Sequence, residues 1–158
     1  MKPSLKMSLV FGIIAAIVNV STFIIGALLF SPVAAAIASY FVLRGEHTPN
    51  APRLGARVGL NVGGIGSLGL LVSLAAFSIL WNLLSLTLTL TSIRDSSFFS
   101  NFMAWLAGSG LNALIFFATA LFVSVLSIGM CVAGGAIVGV IMSARHSASA
   151  LSSENQSR

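Results

Sequence analysis

Residues that could carry chemistry are few in this chain and stand far apart. His47 and His146 are its histidines, Cys131 its single cysteine, and Glu46, Asp95 and Glu154 its only acids. A metal centre needs several such ligands in one constellation. Cys131 has apolar and small neighbours and no ligand partners nearby, so it reads as a packed thiol. His47 and His146 fall in polar flanks and read as solvated. No nucleophile–base pair, phosphate loop or paired carboxylates occur. Gly64 and Gly66 form a GxG inside GLNVGGIGSLG (59–69), but no strand–helix unit or later acidic partner makes this a dinucleotide site. The expectation is a non-enzymatic protein with no metal and no cofactor.

The elements around these residues explain their scarcity. Hydrophobic residues make up 57% of the 158-residue chain and charged residues 7%. A soluble domain carries about 25% charged residues, so too few are present to coat a water-exposed surface. Charge-free runs extend over 7–43, 58–93 and 98–144. A membrane span takes about 20 residues, so the first run, at about 37, is long enough for a tight helical hairpin. Ser31-Pro32 punctuates it, with Pro32 starting a second helix through Leu43; a start one turn earlier, near Gly26 with Pro32 as a kink, is the alternative. The basic MKPSLK start resembles a signal peptide, yet the apolar run exceeds an h-region of about 7–15 residues, which favours a first transmembrane helix.

The segment RGEHTPNAPRLGAR (44–57) reads as a loop. The run 58–93 would be about 54 Å long as a helix, far more than the roughly 30 Å hydrocarbon layer. Its end, SLTLTLTS (85–92), alternates like a strand, but an isolated strand leaves its edge groups unpaired in lipid, so it reads as the far end of a helix. Phe98, Phe99, Phe102, Met103, Trp105 and Leu106 suggest a short interfacial amphipathic helix anchored by Trp105. Gly108-Ser109-Gly110 would then turn the chain into a last span from Leu111 to Met142.

The expected fold is therefore all-α: a polytopic integral membrane protein of four transmembrane helices plus the interfacial helix. Residues 1–144 form one domain and 145–158 a flexible polar tail. Four spans put Lys2, Lys6, Arg44, Arg53, Arg57, Arg145 and Arg158 on one side, with Arg94 and Asp95 on the other. By the positive-inside rule both termini are cytoplasmic, in a plasma or inner membrane. The net charge of +5 is spread over these flanks, which suits membrane topology and not a nucleic-acid surface.

Small residues recur every fourth position. Gly55, Gly59, Gly63 and Ser67 form one row; Ser127, Cys131, Gly135, Gly139 and Ser143 a second; Ala27, Ser31, Ala35 and Ser39 a third. Such rows share a helix face and let backbones approach closely, as in glycine-zipper packing. Among the polar residues in the runs, Asn19 and Asn82 are expected to bond between helices, and Asn112 to cap the last helix. No Asp, Glu, Lys, Arg or His lies inside the expected spans, which argues against a proton-coupled pump or drug exporter.

SPVAAAIASYFVLRG (31–45), GARVGLNVGGIGSLG (55–69) and GGAIVGVIMSAR (134–145) resemble segments of small glycine-rich multi-pass prokaryotic membrane proteins of unknown function. The resemblance implies an integral membrane protein and carries no functional residues with it. Close packing without ionisable groups points to a structural or accessory subunit, its partners being the lipid bilayer and other membrane subunits or further copies. The alternative is a homo-oligomeric channel or passive pathway for small solutes.

Overall fold

The computed structural model describes residues 3–44, 50–91 and 98–156. They form three helical runs: α1 (Pro3–Leu43), α2 (Ala51–Thr91) and α3 (Phe98–Gln156), with no strand among the described residues. The segments 45–49 and 92–97, which include His47 and the Arg94-Asp95 pair, lie outside the described residues.

α1 is one helical run but holds two candidate membrane spans. A straight helix would hold Phe11 and Phe41 about 45 Å apart, yet their rings stack at 6.2 Å. Asn19 bonds Ser31, twelve residues on, at 3.1 Å. The run therefore folds back into two antiparallel arms, Leu5–Thr22 and Ile24–Leu43. With Ala51–Leu88 and Phe102–Ser149 these are four helices long and apolar enough to cross a membrane. The reversal lies close to Gly26, the alternative position, and not at Ser31-Pro32; Pro32 sits inside the second arm. Local bonds account for the position. Ser21 and Thr22 donate to the carbonyls of Ile17 and Val18, which occupies the hydroxyls at the end of the first arm. Gly26 then leaves room for the Thr22 hydroxyl, which a Cβ would strike.

α2 begins seven residues before the apolar run. Ala51–Arg57, expected as loop, is helix. Asn50 accepts from the Leu54 amide at 3.0 Å and Pro52 occupies the first turn, where its missing N–H removes no helical bond. α2 and α3 run antiparallel in one continuous register. Ala51 meets Gly139, Gly55 meets Gly135, Phe77 meets Phe116, and Ser85 meets Trp105. That register passes through Gly108-Ser109-Gly110 without a break. The expected turn there is absent, and the aromatic segment from Phe98 is the first part of α3 instead of a separate helix. Glycine costs a helix only about 1 kcal/mol each relative to alanine, and the α2 contacts on either side hold α3 in register, so the helix carries Gly108 and Gly110 through. The tail expected to be flexible continues α3 as far as Gln156.

The four spans are unequal in length. The α1 arms have 18 and 20 residues, against 38 and 48 for the other two. At 1.5 Å per residue the arms are about 30 Å long, so α1 covers only part of the α2–α3 pair. Its reversal ends in a cluster of Ala27 with Leu70, Leu74, Ala120 and Val123. Beyond that level α2 and α3 continue as a bare two-helix pair. At the opposite end Leu43, Ala51 and Met142 close a small cluster. Lys6, Arg44, Arg53, Arg57 and Arg145 gather around that end.

Candidate functional site

The α2–α3 seam is built from glycine. A Cβ at Gly55 would collide with the carbonyl of Gly135, one at Gly59 with the carbonyl of Cys131, and one at Gly135 with the carbonyl of Gly55. At Gly139 it would fall 2.6 Å from the Pro52 Cα, and at Gly63 3.0 Å from the Cys131 Cβ. Backbone cannot rotate aside as a side chain does, so a side chain at Gly55, Gly59, Gly135 or Gly139 would force the two helices apart, while Gly63 is tight but less so. The two rows read from the sequence thus meet each other within one chain. Their outer members take other roles. Ser67 is buried but bonds the Gly64 carbonyl of its own helix at 2.8 Å. Ser143 is half-buried past the last glycine and accepts from Ser147 through its carbonyl.

The third row, Ala27, Ser31, Ala35 and Ser39, is fully buried. It joins the α1 hairpin to the seam. Ser39 donates to the Gly55 carbonyl at 3.3 Å, and Ser127 donates to the Ala27 carbonyl at 2.8 Å. Gly55, Gly135 and Ser39 therefore form one joint among α2, α3 and the second arm of α1.

Asn19 is the polar centre of the bundle and has no exposed surface. Its Nδ2 donates to the Gly66 carbonyl at 2.9 Å and to Ser31 Oγ at 3.1 Å, while Ser31 Oγ lies 3.3 Å from Asn19 Oδ1. One amide thus ties both arms of α1 to α2. Gly66 faces this group directly, since a Cβ there would lie 3.3 Å from both Asn19 Nδ2 and Ser31 Oγ. Asn82 differs from its expected role: its Nδ2 donates to Ser78 one turn back on the same helix, at 2.9 Å. The cross-helix bond in that region belongs to Trp105, whose indole N–H donates to Ser85 Oγ at 2.8 Å while its ring stacks on Phe102. Asn112 lies mid-helix and exposed instead of capping α3.

A second close approach was not anticipated from the sequence. A Cβ at Gly69 would lie 2.7 Å from the Ala16 Cα, and one at Gly12 2.8 Å from the end of Ile65. Gly12 and Ala16 stand four residues apart, the same spacing that marked the other rows. Cys131 is fully buried in the core with Ala35, Ala38, Val58 and Val62. Among the described residues no group of three His, Cys, Asp or Glu side chains could hold a metal. Comparison with family models, curated proteins and solved structures finds no match.

Proposed function

We propose that the chain is a non-catalytic multi-pass membrane protein acting as a structural or accessory subunit of a membrane assembly. One observation carries this reading: among the described residues, α1 does not reach the far part of the α2–α3 pair, whose outside is apolar. Leu80, Leu83 and Leu84 on α2 and Leu111, Leu114 and Phe117 on α3 are each more than half exposed. A groove of about 580 Å³, lined by residues such as Leu74, Ala75, Phe116 and Ala120, continues the surface that the α1 reversal covers. If the α1 arms match the hydrocarbon layer of roughly 30 Å, the pair runs on for about 20 Å. An apolar surface of that extent beyond the bilayer marks an interaction site.

The cytoplasmic assignment of the termini rests on the gathering of Lys and Arg at one end. The seam itself holds the chain together, so a partner must meet the bare pair. Co-purification of the native protein from its membrane tests this. Stable larger subunits lost on Leu80→Ser with Leu114→Ser support the reading; a chain that extracts alone at monomer mass refutes it. The channel alternative draws support from Asn61 and Asn112, whose amides are exposed on helices otherwise facing lipid. The core serines and Asn19 are buried between the helices, so any pathway would run between copies. Selective flux through vesicles holding only this chain would favour it.

A further inference from the structure

The basic end holds a cavity that none of this packing uses. Between the second arm of α1 and α3, a notch of about 140 Å³ is lined by Tyr40, Met142, Arg145, His146 and Ser149. None of the five is acidic. Met142 is buried, and its carbonyl accepts from His146 Nδ1 at 2.8 Å, which fixes the imidazole on the helix. Ser149 Oγ donates to the Arg145 carbonyl at 3.0 Å. Tyr40 packs edge-on against Phe41 with ring centroids 5.9 Å apart. An arginine and a tyrosine thus border one space, at the level where the apolar cluster of Leu43 and Met142 ends.

We propose that this notch binds the phosphate of an anionic phospholipid headgroup, with Arg145 and Tyr40 as its donors. Guanidinium geometry matches phosphate oxygens in a two-point bond. Tyrosine favours the headgroup level, where its ring stays apolar and its hydroxyl wet. The space exceeds by several-fold the volume that one water requires. Exposed apolar side chains continue from both donors toward the bilayer. Val33 and Ile37 lie on the Tyr40 face of α1, and Ile137 and Ile141 on the Arg145 face of α3, each more than 40% exposed. A lipid with its phosphate in the notch would lay its acyl chains along these two strips. Basic pockets between spans on the cytoplasmic side bind such headgroups.

The inference rests on the membrane reading, and the experiment separates the two. The purified full chain is titrated with phosphatidylglycerol and with phosphatidylcholine of the same acyl chains, and retained lipid is counted by native mass spectrometry. The wild type retains phosphatidylglycerol over phosphatidylcholine. Arg145→Gln weakens that retention by about tenfold or more, the loss of a charged hydrogen bond. Arg53→Gln removes the same charge from the same end, outside the notch, and weakens it by about fivefold at most. Tyr40→Phe, which keeps the ring and its packing, weakens it measurably with helicity unchanged. Equal losses in the two arginine variants, or equal retention of the two lipids, overturn the site in favour of diffuse attraction. Displacement of the lipid by millimolar inorganic phosphate overturns the lipid source. Release of the chain from vesicles by alkaline carbonate instead overturns the membrane reading itself.

Discussion

Replacing Gly135 with alanine tests the central joint at the cost of one methyl group. The added Cβ would enter the carbonyl of Gly55 and lie 2.9 Å from Ser39 Oγ. Carbon contacts are comfortable at about 3.5–4.0 Å, so α2 and α3 must separate by on the order of 1 Å. Overpacking of this kind costs about 1–3 kcal/mol. The Ser39 bond to the Gly55 carbonyl, already 3.3 Å long, would be lost, adding about 0.6 kcal/mol. Alanine also favours helix over glycine by about 0.8–1 kcal/mol, which would mask part of the effect. Gly129→Ala supplies the correction, because Gly129 lies on the same helix with nothing within 4 Å of a Cβ. The propensity gain cancels between the two variants and leaves about 1.6–3.6 kcal/mol of packing and hydrogen bonding. Thermal unfolding in detergent, followed by circular dichroism, should place Gly135→Ala roughly 5–10 °C below Gly129→Ala. Equal midpoints would refute the seam.

Further outcomes follow from the same geometry. Asn19→Ala removes the tie between both α1 arms and Gly66 and should lower stability by about 1–3 kcal/mol; Asn82→Ala, which loses only a bond within its own helix, should stay within about 0.5 kcal/mol. A double-mutant cycle of Trp105→Phe and Ser85→Ala should return a coupling of about 0.5–1.5 kcal/mol, and a zero coupling would remove the α2–α3 register at that level. Phe11→Cys with Phe41→Cys, in a Cys131→Ser background, should be joined by a short bifunctional thiol cross-linker, visible as a mobility shift. A straight α1 would hold the pair about 45 Å apart and give no shift.

The four candidate spans were legible because charge is confined to their ends. Lys6, Arg44, Arg57 and Arg145 bracket apolar runs whose lengths fit one, two or more crossings of a bilayer. The small-residue rows were legible for a similar reason, since a spacing of four defines a face whatever lies opposite. Which face meets which is a tertiary fact, and only the structure joins Gly55 to Gly135. Turn chemistry misled where the surroundings are apolar. Ser31-Pro32 and Gly108-Ser109-Gly110 carry turn residues, yet both stay helical: Ser31 is held by Asn19 inside the second arm, and α3 keeps its register with α2 on both sides of the glycines. The actual reversal of α1 has no proline and only one glycine close by. The strand-like SLTLTLTS was correctly placed at the far end of α2. Its Thr87 bonds back to Leu83 at 2.9 Å, and its Ser85 receives the Trp105 indole. Asn82, chosen for its depth in the run, lost the interhelical role to that indole.

The Asn19 tie also sets an order of assembly. Its bond to Ser31 closes a loop of twelve residues, its bond to the Gly66 carbonyl spans 47, and the Ser127 bond to the Ala27 carbonyl spans 100. Closure entropy rises with loop length, and synthesis delivers the first partners earliest. The α1 hairpin can therefore pair before α2 is complete, and α2 can settle its Gly66 carbonyl on Asn19 before α3 leaves the ribosome. α3 arrives last, onto a surface already formed. A fault in the hairpin is thus inherited by every later step, whereas a fault in α3 leaves a three-helix intermediate for quality control to recognise.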